Sequence, residues 1–245
     1  MNEKERSART ISIIVPAYNE EGNLKATVEG VAGIAVQRFS DYEILIFDDY
    51  SVDKTGEIAD DLASVNSHVL VHHNQRNMGF GYNYTKGVEL ARMEYVMMIP
   101  GDNEITDESI GAICDMAGSA DIIVPYTVNT EVRPVSRRII SKTFTAIMNV
   151  ITGLHLRYYN GPCIHNAGII KSIPMTTWGY AYMASILARL IRSGHSYLEV
   201  GMYLKQRGYG GSKAFKLKNI ARVGKTLLDL FWELRVRKPA GRKKG

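Results

Sequence analysis

Short apolar runs alternate with helical patterns through the first half of the chain. Four of these runs are rich in β-branched or other apolar residues and are bounded by polar or turn residues, which predicts buried strands. The predicted strands are 11–15, 42–47, 68–72 and 94–99. Between them, apolar residues recur at a helical period, as in Leu24, Val28 and Val31. This alternation predicts an α/β fold with a parallel sheet and right-handed crossovers.

The second half of the chain changes character after a fifth predicted strand at 121–124. The elements predicted after it are helices at 137–152 and 180–192, a strand at 196–204 and a helix at 219–236. The first and last of these helices combine an apolar face with basic residues, which is typical of helices that lie on a membrane surface. We therefore expect an amphipathic C-terminal helix, followed by a cationic tail.

Polar residues gather directly after the predicted strands. They occupy positions 18–20, 48–49, 77–79 and 102–104, and they are mainly acids and amides. In open α/β sheets, ligands bind outside the carboxyl ends of the strands. Because four such ends carry polar side chains, the sequence predicts one binding site there and favours an enzyme.

Carboxylates at these strand ends point to a divalent cation. Asp48 and Asp49 follow one strand, while Asp102 and Glu104 follow another. An aspartate pair after a strand also suits a helix cap. Several carboxylates at one binding site repel each other unless a cation lies among them. Oxygen ligands favour Mg²⁺ or Mn²⁺ as that cation. Since Mg²⁺ commonly joins carboxylates to substrate phosphates, a nucleoside diphosphate is a natural ligand.

The composition is that of a globular protein, with 245 residues, 45% hydrophobic and 22% charged. This excludes a wholly disordered chain, a collagen and a disulfide scaffold. Cys114 and Cys163 form no CxxC pair, so we expect reduced thiols. The N-terminus shows no apolar signal segment, and no run approaches the ~18 apolar residues of a spanning helix. We therefore expect a soluble chain on the cytoplasmic side of the membrane.

The net charge of +5 is unevenly distributed. Residues 201–245 hold 13 Lys and Arg against 2 Asp and Glu, whereas residues 1–200 hold 17 against 23. A basic terminus suits nucleic acid, anionic lipid headgroups or phosphorylated substrates. We expect no nucleic-acid partner, because the body of the chain is acidic and carries no such binding motif.

Three motifs carry a family resemblance. The residues IIVPAYNEE from Ile13, DDYSVDKT from Asp48 and NMGFG from Asn77 resemble, in this order, the motifs of family 2 glycosyltransferases with the GT-A fold. The similarity covers roughly residues 10–215. It is closest to the polyprenol-phosphate sugar transferases, such as dolichol-phosphate mannose synthase.

The resemblance implies a reaction and a domain organisation. A sugar would pass, with anomeric inversion, from a nucleoside-diphosphate donor to a polyprenyl-phosphate-type lipid acceptor. Residues 1–9 would form a flexible N-terminus, and 216–245 the amphipathic helix and basic tail. Residues 10–215 would form the GT-A domain, a Rossmann-like, mainly parallel sheet flanked by helices.

The resemblance also implies a donor site. Its nucleotide-binding residues would be Pro16, Tyr18, Glu20, Asp48, Asp49, Asn77 and Gly79. The metal motif of the family aligns with 100–104, where Pro100 replaces the first aspartate. Asp102 and Glu104 would hold Mg²⁺ or Mn²⁺, and Asp102 would be a catalytic residue.

On the acceptor side, Arg137 and Ser141 match a family RxxxS motif that faces the acceptor phosphate. Arg207, expected to be catalytic, and Lys213 match a later segment that closes over diphosphate or acceptor. Asn160 lies where relatives usually carry an acidic segment, and we assign it to acceptor binding. An amide cannot act as a base, but a phosphate acceptor is already anionic and needs none.

Two alternatives remain open at this point. The enzyme could transfer sugar to a hydroxyl of a glycan or lipid, or the chain could be a non-catalytic sugar-nucleotide-binding interaction module, as Pro100 suggests. For the main hypothesis we expect a peripheral protein at the inner face of the membrane, bound to anionic lipid. The amphipathic C-terminal helix would serve a homodimer equally well.

Overall fold

A seven-stranded sheet forms the centre of the computed structural model, which describes residues 8–175, 179, 181–206, 224, 227, 228, 230 and 232. The strands are β1 (Thr10–Ala17), β2 (Asp41–Asp48), β3 (Val69–His73), β4 (Tyr95–Met98), β5 (Ile122–Thr127), β6 (Ile164–Asn166) and β7 (Tyr197–Met202). Their order across the sheet is β3-β2-β1-β4-β6-β5-β7. Each strand predicted from the apolar runs is present, with its ends shifted by a few residues.

Seven helices accompany the sheet in the described part of the chain. They are α1 (Leu24–Arg38), α2 (Thr55–Val65), α3 (Phe80–Leu90), α4 (Asp107–Asp115), α5 (Val135–Thr152), α6 (Ala167–Lys171) and α7 (Tyr182–Arg192). A short 3₁₀ turn, Thr130–Val132, precedes α5. In this part of the chain, no helix is long and apolar enough to cross a membrane.

The sheet is mainly parallel, and β6 is its exception. β6 pairs antiparallel with both β4 and β5, while the other pairings are parallel. The apolar pattern did not predict β6, because three residues are too few to show a period. The six remaining strands run in one direction, so their carboxyl ends lie along the same edge.

Two apolar cores cover the two faces of the sheet. Alternate residues of β1 divide between them: Ile13 packs with α1 and α4 in the first core, and Ile14 packs with α3 and α7 in the second. This explains the unbroken apolar run of β1, since both faces of the strand are buried. From the C-terminal segment, Leu230 is buried in the second core and Leu227 packs against it.

Candidate active site

The loops that follow β1 and β2 are joined by hydrogen bonds. The N–H of Asn19 donates to Ser51 Oγ at 3.0 Å, and Asn19 Oδ1 accepts from the N–H of Val52 at 2.9 Å. The N–H of Glu20 donates to Thr55 Oγ1 at 2.8 Å. Asn19 has a φ of 54°, in the left-handed region that asparagine tolerates better than most residues. The two loops therefore form one rim.

Four predicted nucleoside-binding residues lie on or next to this rim. Pro16 is buried near the end of β1, and Tyr18 and Glu20 follow it half-buried. Asp48 is the last residue of β2 and stands in register with Ala17 of β1. The structure thus brings together residues that are some thirty positions apart in the sequence.

Asp49 organises the loop that leads into α3. Its Oδ1 accepts from the N–H of Met78 at 2.7 Å and from Asn74 Nδ2 at 2.8 Å, and its Oδ2 accepts from the N–H of Gly79 at 2.8 Å. Asn77 Nδ2 donates to the Asp49 carbonyl at 3.3 Å. Gly79 has a φ of 86°, which favours glycine. Asp49, Asn77 and Gly79 therefore form one connected unit at the carboxyl edge.

The carboxylate of Asp48 is held by protein groups on both oxygens. Oδ1 accepts from the N–H of Ser51 at 3.1 Å, and Oδ2 lies 3.1 Å from Nδ1 of His73 at the end of β3. The other ring nitrogen of His73 lies 3.0 Å from Asp60 Oδ1 on α2. Hydrogen bonds, first to Asp48 and then to Asp60, raise the pKa of His73 above its usual value.

The Pro100 substitution is compatible with the local hydrogen bonding. The N–H groups of Ile99 and Gly101 donate to Ile14 and Pro16 of β1, at 2.9 and 3.0 Å. Residue 100 lies between these donors, so its own nitrogen faces away from β1, and proline breaks no bond of that ladder. The extension carries Asp102 beyond the end of β4 to the edge where β1 also ends.

A divalent ion bridged to a diphosphate fits the donor set at Asp102. No group of three or more His, Cys, Asp or Glu side chains that could enclose a metal occurs among the described residues. Mg²⁺ is commonly bound by one or two carboxylates together with substrate phosphates and water. Asp102, which is half-buried at the strand end, can supply such a carboxylate.

Glu104 is placed differently from Asp102. Its carboxylate lies 3.6 Å from a guanidinium nitrogen of Arg137 on α5 and 4.0 Å from one of Arg133. The backbone N–H of Glu104 donates to Asp102 Oδ1 at 3.2 Å. Asp102 and the predicted acceptor residue Arg137 are therefore joined through Glu104. Its role as a metal ligand remains a prediction.

The other predicted acceptor residues are divided between described and undescribed parts of the chain. Ser141 lies one helical turn after Arg137 on α5 and is half-buried. Asn160 is exposed, two residues after Tyr158, whose hydroxyl accepts a 3.4 Å hydrogen bond from Arg133. Arg207 and Lys213 lie outside the described residues, as do most of the predicted C-terminal helix and the basic tail.

The mainly parallel sheet, with acids and amides along its carboxyl edge, has the architecture of GT-A glycosyltransferases. A structure of glucosyl-3-phosphoglycerate synthase from Mycobacterium tuberculosis, solved with UDP, matches with a TM-score of 0.65 at 15% identity, over 95% of this chain and 82% of that one. A structure of the same enzyme with Mg²⁺ and UDP matches with a TM-score of 0.64.

The family model of glycosyl transferase family 2 matches residues 12–170, and the chain belongs to this family of glycosyltransferases. It is 27% identical over 221 residues to polyprenol monophosphomannose synthase of Mycolicibacterium smegmatis, covering 85% of this chain and 82% of the relative. It is also 27% identical over 152 residues to undecaprenyl-phosphate 4-deoxy-4-formamido-L-arabinose transferase of Aeromonas hydrophila, covering 62% of this chain and 47% of that one. The resemblance inferred from the three motifs is thereby confirmed.

Two residues of the site were not predicted from the sequence. His73 follows His72 at the end of β3, and Arg133 lies four residues before Arg137 across Pro134. The spacing of the two arginines is a local signal that was available. The contact between His73 and Asp48 joins the ends of two strands and has no local signal.

Proposed function

We propose that this protein is an inverting glycosyltransferase that moves a sugar from a nucleoside diphosphate to a polyprenyl-phosphate-type lipid. One observation carries the proposal. Asp102, which can bind the metal ion of a metal-bound diphosphate, lies two residues before Glu104. Glu104 faces Arg133 and Arg137, which can bind an acceptor anion. A donor phosphate and an acceptor phosphate would then meet at a single strand end.

On the donor side, Pro16, Tyr18, Glu20 and Asp48 hold the nucleoside, and Asp49 positions Asn77 and Gly79 beside it. Asp102 would hold Mg²⁺ or Mn²⁺, and the ion would offset the negative charge that develops on the departing diphosphate. The structural neighbours solved with UDP and Mn²⁺ or Mg²⁺ support the use of a divalent ion.

On the acceptor side, Arg137 and Ser141 orient the phosphate from one turn of α5. Asn160, which lies two residues after Tyr158 in the sequence, contributes to the same acceptor site. A phosphomonoester is already anionic at neutral pH, because its second pKa is about 6. The acceptor therefore needs no general base, and catalysis rests on alignment and on charge stabilisation. Arg207 and Lys213 would close over the phosphates.

The lipid part of the acceptor is supported by the outer face of α5. Val135, Ile139 and Val150 are 64%, 59% and 76% exposed, and Ile140 and Ile147 are exposed beside them. We propose that this face, with the basic residues of the same helix and of the C-terminal region, lies on an anionic membrane surface. Two relatives are named a polyprenol monophosphomannose synthase and an undecaprenyl-phosphate transferase, and these names agree with a lipid-phosphate acceptor.

The first test is calorimetric titration of the purified protein with UDP and GDP, with and without Mn²⁺. Metal-dependent binding of one nucleotide supports the donor site and identifies the base. If neither nucleotide binds to the folded protein, the proposal fails, and an interaction module without a nucleotide site replaces it.

The second test concerns the acceptor. Transfer is assayed on farnesyl monophosphate and on farnesol, using the sugar nucleotides of the base identified by calorimetry. Transfer to the phosphate alone supports a lipid-phosphate acceptor. Transfer to the alcohol supports the alternative of a hydroxyl acceptor, for which Asn160 would not be the base.

A further inference from the structure

Two guanidinium groups share the carboxylate of Glu104, two residues after Asp102. Glu104 lies against Arg133 and Arg137, and the exposed fractions of the three side chains are 10%, 13% and 28%. Among the described residues, Glu104 is the one carboxylate within ion-pair distance of either arginine. The cluster therefore carries more positive than negative charge in a largely buried position.

Arg133 has unused hydrogen-bonding capacity. Its Nε is buried and has no hydrogen-bond partner in the described part of the chain. One terminal nitrogen donates to Tyr158 at 3.4 Å, and the guanidinium carbon lies 6.0 Å from the centre of the Tyr158 ring. A buried charge without full pairing is costly in a purely structural role, because its desolvation is not offset. An anionic ligand would provide the missing compensation.

The start of α5 adds to the positive potential. Arg133 directly precedes the N-cap residue Pro134, and Arg137 lies in the first turn. No side chain caps this end of the helix, and its first turn contains no acidic residue. The N-terminus of a helix attracts anions through its free N–H groups and its dipole. This feature and the arginine pair independently favour the same ligand charge.

We propose that Arg133 is a second phosphate-binding residue, which holds the acceptor phosphate together with Arg137, and that Glu104 positions both guanidinium groups instead of binding the metal. The inference rests on the proposed function and deepens its acceptor site. A carboxylate that faces two guanidinium groups is a poor metal ligand, because a cation placed there would be repelled by both. Asp102 is then the carboxylate that serves the metal.

Three variants test the contact between Arg133 and the acceptor phosphate. They are Arg133→Gln, Arg133→Lys and, as the control, Arg138→Gln. Arg138 follows Arg137 on α5 and makes no side-chain ion pair within the described residues, so its replacement makes the same change in net charge. Binding of farnesyl monophosphate and of farnesol to the full chain is measured by calorimetry, with and without UDP or GDP and Mn²⁺.

We expect Arg133→Gln to weaken binding of the monophosphate by about tenfold or more, and Arg138→Gln to change it by less than about twofold. Arg133→Lys should fall between them, since lysine keeps the charge and loses the planar fork. Farnesol binding should not distinguish the variants. Equal monophosphate affinity in Arg133→Gln and Arg138→Gln overturns the inference. So does a loss confined to nucleotide binding, which would assign Arg133 to the donor diphosphate.

The role of Glu104 is tested by Mn²⁺ titrations of nucleotide binding in Glu104→Gln and Asp102→Asn. We expect Asp102→Asn to raise the Mn²⁺ concentration required by about tenfold or more and Glu104→Gln to leave it within about twofold. A similar increase in both variants makes Glu104 a metal ligand and overturns its positioning role. If the wild-type protein binds the monophosphate through Arg133 but binds no nucleotide, the proposed function fails while the anion site stands.

Discussion

Nδ1 of His73 lies 3.1 Å from Oδ2 of Asp48, at the ends of two neighbouring strands. The same imidazole reaches Asp60 on α2, so one side chain joins a predicted nucleoside-binding carboxylate to the first helix that follows it. A Cβ on Gly56 would lie 3.1 Å from the same Asp48 oxygen, which shows how closely α2 covers the pair.

His73 should titrate above the usual histidine pKa of 6.5, because hydrogen bonds to Asp48 and Asp60 favour its charged form. Its contribution to stability is complete below pH 6.5 and is lost as the pH rises through the higher pKa of the folded state. Histidine NMR titration measures this directly. Asp48→Asn should lower the pKa more than Asp60→Asn does, since the bond to Asp48 has the larger effect.

The neighbouring His72 is an internal reference for that titration. Burial and the charge of His73 lower its pKa, so it should titrate below 6.5 in the same spectra. A wild-type His73 that titrates at or below 6.5 contradicts the bridged geometry.

Acid should destabilise the protein through His165. This side chain is fully buried on β6, with Nδ1 3.1 Å from the hydroxyl of Tyr84, and burial lowers its pKa to about 3. The unfolded chain binds a proton near pH 6.5 and the folded chain does not. Stability should therefore fall by about 1.4 kcal/mol per pH unit from this group as the pH drops from about 6.5 towards 3.

Urea denaturation at several pH values measures the effect of His165. His165→Gln should flatten the acid limb of the stability profile, whatever its effect on absolute stability. His155→Gln, which replaces an exposed histidine, is the control variant in the same measurement. An unaltered acid limb in His165→Gln would show that other groups cause the loss.

Two glycine-to-alanine substitutions should differ in their effect on the stability of the fold. A Cβ on Gly87 of α3 would lie 2.6 Å from two side-chain carbons of Ile14 on β1, so Gly87→Ala should destabilise the fold by about 1–3 kcal/mol. A Cβ on Gly33 of α1 meets nothing within 4 Å, so Gly33→Ala should be neutral or stabilise the fold by up to about 1 kcal/mol. Denaturant midpoints of the two variants provide the comparison. Equal midpoints would contradict the tight packing of α3 on β1.

Asp102→Asn should abolish transfer and leave the circular dichroism spectrum unchanged, since the substitution removes the proposed metal ligand while keeping the shape of the side chain. Asp107→Asn is the matched control, because Asp107 is an exposed carboxylate nearby that pairs with Lys205. It should retain most of the activity. Near-normal turnover by Asp102→Asn would contradict the assignment of the metal.

Replacing Ile139 and Val150 on the outer face of α5 by Ser should weaken binding to vesicles that contain anionic lipid. Apolar burial contributes about 1.5–3 kcal/mol for each fully buried side chain, so partial insertion should still give a loss of several-fold. The paired control is Val36→Ser with Val65→Ser, two exposed valines on α1 and α2. Sedimentation with vesicles measures both, and equal binding by the two double variants would exclude α5 from the membrane contact.

Much of the fold could be predicted from the sequence because its signals are local. The unbroken apolar run of β1 indicated a strand buried on both faces, and Ile13 and Ile14 indeed face different cores. β6 could not be found in this way, because its place is decided by antiparallel pairing between β4 and β5 and three residues show no period.

The position of the site also followed from the sequence, since parallel strands end along one edge and polar residues followed four of them. Local patterns along the chain were therefore enough to identify the family, the sheet and the edge where the acids gather. The partner of each acid depends on the packing of distant segments. Asp49 accepts from the N–H groups of the loop before α3, Asp48 meets His73, and Glu104 meets two arginines. A carboxylate can accept from a backbone N–H, an imidazole, a guanidinium or a metal, and the choice depends on which of these the fold brings within a few ångströms.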